Sequence, residues 1–171
     1  MPGRREIFLP IERDQLPVDH PLRLFDRYWR DLAAGGGLPT REAFNPLRVP
    51  PALPWLCLFE YAPRPVGRED ANARVDDYVV LLFGASSLSD GGELEVGTQL
   101  TDLFSGESLQ RRLDEFAAVH ARREPLFSRT SLDHGPRPGQ WIRGVFPFVS
   151  ACGTPQVMVV MMPDFDGSHS G

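Results

Sequence analysis

The sequence predicts an α+β fold: a five-stranded antiparallel sheet with flanking helices and an extra helix at the N-terminal end. Three observations predict it. Hydrophobic periodicity runs in the order helix, two strands, short helical pieces, one long helix, three strands. Short Gly- and Pro-containing turns join the three closing strands, which makes them antiparallel neighbours. Two strand segments, YVVLLF at 78–83 and VMVVMM at 157–162, are apolar without alternation. In an antiparallel sheet that pattern requires cover on both faces.

The elements follow in order. Residues 1–18 read as an irregular N-terminal arm, 19–163 as a single domain and 164–171 as a polar tail. Asp19 is a plausible N-cap, with Pro21 in the first helical turn, where a missing N–H costs nothing. Leu22, Phe25, Trp29 and Leu32 then recur at helical spacing until Gly35-Gly36-Gly37 ends the helix. The stretch 38–54 holds five prolines and reads as an extended connector. A strand is expected over 53–61, a solvated loop over 62–77 and the second strand over 78–83. Another short helix fits 98–104. The clearest helix spans about 107–123, with Leu109, Leu113, Phe116 and His120 in its apolar sector and Arg111, Arg112, Asp114 and Glu115 outside it. Strands then follow at 125–132, 140–149 and 157–162.

Composition narrows the chemistry. The chain has 171 residues, 42% of them apolar, and a formal net charge of -5. Nucleic acid and anionic membrane both call for a basic surface, so neither is expected as a partner. All 18 basic residues are arginine. Schiff-base, phosphate-loop and general-base roles of lysine are therefore excluded. The two cysteines, Cys57 in an apolar run and Cys152 in a polar turn, form neither a disulfide framework nor a C-x-x-C site. No apolar stretch reaches the ~20 residues of a membrane span, and the N-terminus lacks a signal-peptide core. The expected compartment is the cytoplasm.

A series of short motifs carries a resemblance. Tyr28-Trp29-Arg30-Asp31-Leu32 is followed by Gly37-Leu38-Pro39-Thr40-Arg41, then Asn45-Pro46 and Leu53-Pro54. In this order they resemble a bacterial PAS-like domain family of unassigned function, tightest over 20–60 and looser to about 163. The family's second strand resembles Tyr-x-x-Arg-Leu-x-Gly-Thr. Here Leu81 stands at the Arg position and Ala85 at the Thr position, so an anionic ligand held by that Arg is not expected. The resemblance implies a PAS-like sensor whose conformation or assembly is biased by a small molecule or a partner. Some PAS domains carry haem on a histidine of the long helix, which makes haem on His120 an alternative; otherwise His120 is a half-buried residue near a helix C-terminus. Flavin photochemistry would need an Asn-Cys-Arg setting that neither cysteine has.

An apolar cavity is expected between the sheet and the long helix, lined by Phe83, Leu113, Phe116, Phe127 and Phe146. Trp141 and Arg143 alternate along one strand. They either clamp a carboxylate or aromatic ligand, or lie on an outer face, with Trp141 against the N-terminal helix and Arg143 snorkelling. The opposite residues, Ile142, Gly144, Phe146 and Phe148, are expected inside. Arg41 either binds an anion or satisfies connector carbonyls. Asp133-His134, with Ser128 and Ser131 nearby, lacks a third orienting group, and no catalytic or metal motif occurs, so no enzyme is expected. The expected function is sensing of a small apolar molecule or protein partner, with output through protein–protein interaction to a separate signalling protein. The alternative is a ligand-free docking domain. A homodimer is expected through Leu22, Phe25, Trp29 and Leu32 and the outer sheet face.

Overall fold

A computed structural model describes residues 6–67, 72–87, 94–132 and 139–164. The strands are β1 (Glu6–Ile11), β2 (Leu56–Tyr61), β3 (Arg64–Pro65), β4 (Arg74–Val75), β5 (Tyr78–Phe83), β6 (Leu126–Leu132), β7 (Gly139–Val149) and β8 (Pro155–Pro163). The helices are α1 (Pro21–Ala33), α2 (Leu100–Leu103) and α3 (Gly106–Arg122). One six-stranded sheet runs in the order β1-β6-β7-β8-β2-β5, and each neighbouring pair is antiparallel. The fold is α+β, as the periodicity predicts.

The sheet has six strands rather than five because part of the expected arm is a strand. Residues 6–11 pair in continuous register with β6, from Glu6 opposite Leu132 to Ile11 opposite Phe127. Pro10 is tolerated because β1 is an edge strand. Two further segments differ from expectation. The proline-rich connector is not extended but folds into 3-10 turns over Arg41–Ala43, Pro46–Arg48 and Pro50–Trp55. The loop at 62–77 contains the small β3–β4 ribbon.

Each sheet face carries its own core, and the chain covers both. On one face α1 lays Leu22, Phe25 and Trp29 against Ile142, Phe146 and Phe148 of β7. On the other, α3 lays Phe116 and Val119 against Val145 of β7 and Val157 and Val159 of β8. This explains the continuous apolar runs without a second subunit. The helical stripe assigned to a dimer interface is internal: Leu22 and Phe25 are 0% exposed and Trp29 4%. Leu32 packs against the same core.

His20, not Asp19, is the N-cap of α1. Its Nδ1 accepts from the Leu22 N–H at 3.1 Å, and its Nε2 lies 3.0 Å from the Pro163 carbonyl oxygen. The residues of the motif series have structural partners. The Trp29 indole N–H donates to the Pro147 carbonyl at 2.9 Å. The Tyr28 hydroxyl accepts from the Asn45 N–H at 2.7 Å. Val149 N–H donates to the Pro39 carbonyl at 3.0 Å, so the Gly-Leu-Pro-Thr-Arg segment is stitched to the end of β7. These bonds hold α1 and the connector to one sheet face.

Two glycines mark close approaches. A Cβ on Gly144 would stand 2.6 Å from the Phe146 ring and 3.0 Å from Leu22 Cδ1. One on Gly84 would collide with the Leu53 carbonyl oxygen and the Pro54 backbone. Gly144 therefore lets α1 sit down on β7, and Gly84 lets the end of β5 touch the last 3-10 turn.

Candidate functional site

The candidate site lies on the α3 face of the sheet. Residues of alternate parity along each strand share a face. On β2 that face receives Cys57 and Phe59, on β8 Val159 and Met161, and on β7 Trp141, Arg143 and Val145. The registers align them in rows across the sheet: Val145 opposite Val159, Arg143 opposite Met161, and Val159 opposite Cys57. From above, α3 presents Arg112 and Phe116, one turn apart, and α2 supplies Leu100 and Leu103. All of these groups except Trp141 and Val145, together with Trp55, Ser87, Leu94 and Phe104, line a cavity of about 110 Å³.

The short helix α2 is anchored by a buried carboxylate. Asp77 is 0% exposed and accepts from the Thr101 hydroxyl at 2.7 Å, the Thr101 N–H at 3.3 Å and the Tyr78 N–H at 2.8 Å. The Arg64 guanidinium lies 3.3 Å away. Asp77 sits immediately before β5, so these bonds fix Leu100 and Leu103 over the sheet. Phe104 then turns back under the Arg112 guanidinium, which stands 3.6 Å from the ring centroid. Arg112 also donates to Ser108 Oγ at 2.7 Å.

The polar wall of the cavity is Arg143. Its Nη1 donates to Glu115 Oε1 of α3, and both side chains are 8% exposed. A buried ion pair of this kind is held in place because either partner alone would be an uncompensated charge. The guanidinium makes no other hydrogen bond to a described residue. Its cross-strand neighbour Ser128 is 1% exposed, and the Ser128 hydroxyl has no partner among the described residues. Burial pushes the thiol of Cys57 up from 9.0 to about 12, so it lines the cavity as an apolar, protonated group.

The expected site residues divide. Phe116 and Arg143 line the cavity. Trp141 is on the same sheet face and meets Trp55 edge-on at 5.8 Å between ring centroids. Leu113 packs in the same core without lining the cavity. Phe127 and Phe146 belong to the opposite core beneath α1, with their rings 5.8 Å apart. Phe83, 37% exposed, ends β5 outside the cavity. The face assignment of β7 is thus reversed. Arg143 and Trp141 face the long helix, and Ile142, Phe146 and Phe148 face α1. Because β7 is buried on both sides, its composition carries no alternation to say which side is which.

His120 has neither nitrogen directed at the cavity. Nδ1 lies 3.0 Å from the Phe116 carbonyl oxygen and Nε2 3.0 Å from the Phe148 carbonyl oxygen. It is a clamp between α3 and β7, and that geometry speaks against axial ligation of haem. Glu115, placed outside the apolar sector by sequence, is buried because Arg143 waits beneath it. Arg41 is exposed; its carbonyl accepts from the Phe44 N–H at 3.0 Å, and its side chain has no hydrogen-bond or ion-pair partner among the described residues. Asp133 and His134 lie outside the described residues.

No family model, curated protein or solved structure matches the chain. The site therefore rests on its own geometry. No cluster of three or more His, Cys, Asp or Glu residues suited to a metal ion occurs among the described residues. Nor is any described helix long and apolar enough to cross a membrane.

The sequence reading missed Cys57, Phe59, Leu100 and Met161. The parity of β2 and β8 was available as a signal. What was missing is that β2 lies beside β8, a contact between residues about a hundred positions apart.

Proposed function

We propose that the chain is a PAS-like sensory or regulatory domain. It binds a small, mostly apolar molecule between α3 and the sheet and signals through protein–protein contact. The observation that carries this reading is the cavity of about 110 Å³, walled by Cys57, Phe59, Phe116, Val159 and Met161 with Arg143 as its buried polar group. Ligand sites are concave and largely apolar, with a few placed polar groups. The five strands other than β1, in the order β6-β7-β8-β2-β5 with α2 and α3 on one face, are compatible with the PAS-like architecture that the motif series implies.

The cavity reading is tested by filling it. Val159→Phe, at the centre of the floor, is expected to abolish thermal-shift and chemical-shift responses to small apolar compounds that the parent protein binds. A parent protein with no response across a library of ring and short-chain compounds refutes it.

One observation favours a second reading, a docking domain without ligand. The cavity is smaller than the ~150 Å³ that holds a benzene in an apolar core, and aromatic rings take much of the surrounding space, Phe59 and Phe116 standing 5.4 Å apart. That reading expects Val159→Phe to raise stability while every partner interaction persists.

A further inference from the structure

We propose a second binding site, independent of the cavity beneath α3: the basin between the 3-10 turn Arg13–Gln15 and α1 takes a phosphate monoester of a small polyol or sugar.

The basin belongs to the α1 side of the sheet, opposite α3. It has a volume of about 420 Å³ and is lined by Glu12, Arg13 and Asp14 from the turn and by Arg23, Asp26, Arg27 and Arg30 from α1. Part of this lining is structural. The Asp26 carboxylate, 2% exposed, accepts from Arg13 Nε at 2.7 Å and Nη2 at 3.1 Å. Arg23 donates to the carbonyls of Leu16 at 2.7 Å and Asp14 at 3.0 Å. These bonds stitch the turn to α1 and account for Arg13, Arg23 and Asp26.

They do not account for the rest of the row. Arg27 is exposed and its side chain makes no hydrogen bond or ion pair to a described residue. Arg30 meets Asp26 through Nε at 3.2 Å and has no other partner among the described residues. Positions 23, 27 and 30 fall on one helix face, where like charges three or four residues apart destabilise a helix. An anion laid across the row offsets that repulsion.

Charge and donors select phosphate over carboxylate. Three guanidiniums, Arg13, Arg27 and Arg30, share one carboxylate, Asp26, which leaves a local charge of about +2. A phosphate monoester carries close to two negative charges at neutral pH and has three strong acceptor oxygens. Arg27 and Arg30 stand one turn apart, and their two planar forks offer more donors than a single carboxylate accepts.

Glu12 and Asp14 set the body of the ligand. Carboxylates on the turn side of the basin repel a second anionic group and accept hydrogen bonds from hydroxyls. The volume has room for upwards of ~20 water-sized groups, so it suits a whole small molecule and not a lone ion. One phosphate on a hydroxyl-bearing body satisfies both walls; a bisphosphate does not.

The test is calorimetry on the full chain with glucose 6-phosphate, glycerol 3-phosphate, glucose 6-sulfate, glucose, inorganic phosphate and a short phosphoserine peptide. Glucose 6-phosphate is expected to bind at least tenfold more tightly than glucose or inorganic phosphate, and several-fold more tightly than the singly charged sulfate ester. Its affinity is expected to fall as pH drops through about 6, where the monoester gains a proton, while that of the sulfate ester stays level. Arg27→Gln is expected to weaken binding of glucose 6-phosphate at least tenfold and to leave the urea midpoint unchanged or raised, which an arginine needed only for folding would not do. Equal binding of the phosphate and sulfate esters, or an unchanged affinity in Arg27→Gln, overturns the phosphate assignment. Tighter binding of the peptide than of either sugar or polyol phosphate overturns the small-molecule assignment. No binding of glucose 6-phosphate or glycerol 3-phosphate removes the site and leaves the cavity beneath α3 untouched.

Discussion

Glu115 of α3 and Arg143 of β7 form an ion pair in which each side chain is 8% exposed. The pair crosses the one interface that the cavity also occupies, so it couples the seating of the long helix to the contents of the site. Removing one partner strands the other charge away from water. Glu115→Gln or Arg143→Met alone is expected to cost about 3–5 kcal/mol, while the two together cost less than the sum by at least ~1 kcal/mol. Urea unfolding of the four proteins of the cycle measures this. Strict additivity would mean that the two charges do not depend on each other.

His120 joins the same two elements a turn further on, through the carbonyls of Phe116 and Phe148. Replacement by Leu keeps bulk but removes the ring N–H that these two carbonyls face. A loss of about 1–2 kcal/mol is expected. Titration of the parent protein with haemin is expected to give no Soret shift that depends on His120. A shift abolished in His120→Leu would reinstate the haem reading.

How much was legible follows from how local each feature is. The α1 stripe of Leu22, Phe25 and Trp29 was readable because helical spacing is a property of neighbouring residues, and the closing meander because its turns are short. The stripe's role was not, since nothing near it in sequence says that β7, more than a hundred residues on, lies beneath it. The strand at 6–11 was hidden by Pro10 and by its short length. Arg143 and Phe116 were found as site residues because a charge in an apolar strand and a ring on an apolar helical face are local anomalies. Phe146 was misassigned because β7, buried on both faces, carries no polar side to orient it, and Phe127 with it because the β6–β7 pairing puts it on the Phe146 face, opposite Gly144.

Tyr28 and Trp29, neighbours in the motif series, each bond a distant segment: the Tyr28 hydroxyl accepts from the Asn45 N–H and donates to the Ala43 carbonyl at 3.4 Å, and the Trp29 indole N–H donates to the Pro147 carbonyl. Tyr28→Phe removes the acceptor of the Asn45 N–H, and Trp29→Phe removes the donor to the Pro147 carbonyl. Each is expected to cost about 1–2 kcal/mol, with Trp29→Phe the larger because it also opens space in a full core. Stability within ~0.3 kcal/mol of the parent for both would show that these residues are present for a reason other than folding.

Gly144 is the point where Leu22 of α1 comes down on β7. A methyl group there meets the Phe146 ring at 2.6 Å. Gly144→Ala is expected to cost about 1–3 kcal/mol by overpacking, even though alanine is otherwise the better strand residue. The double variant Gly144→Ala with Leu22→Ala frees space on one side and is expected to recover part of the cost assigned to the contact. If the single variant is neutral, α1 is not seated as closely as these distances state.

Cys57 and Tyr78, both in the α3-side core, make the fold sensitive to alkali. Burial raises the thiol of Cys57 from 9.0 to about 12 and the phenol of Tyr78 from 10.0 to about 12, the latter with help from the nearby charge of Asp76. Both groups are neutral when protonated. Above pH 9 the unfolded chain gives up the thiol proton while the folded chain keeps it. Fewer protons on the unfolded state means that stability falls as pH rises. The decline starts near pH 9 from Cys57, steepens above pH 10 as Tyr78 joins, and ends near pH 12, with a slope of up to about 1.4 kcal/mol per pH unit for each group. Cys57→Ala is expected to remove the decline between pH 9 and 10 and to lower the slope between pH 10 and 12 to the share of Tyr78 alone. The same burial separates the two thiols at neutral pH. Exposed Cys152 is expected to react with a disulfide reagent at once, and Cys57 only on unfolding. Two fast thiols in the native protein would place Cys57 at the surface and remove the floor of the cavity.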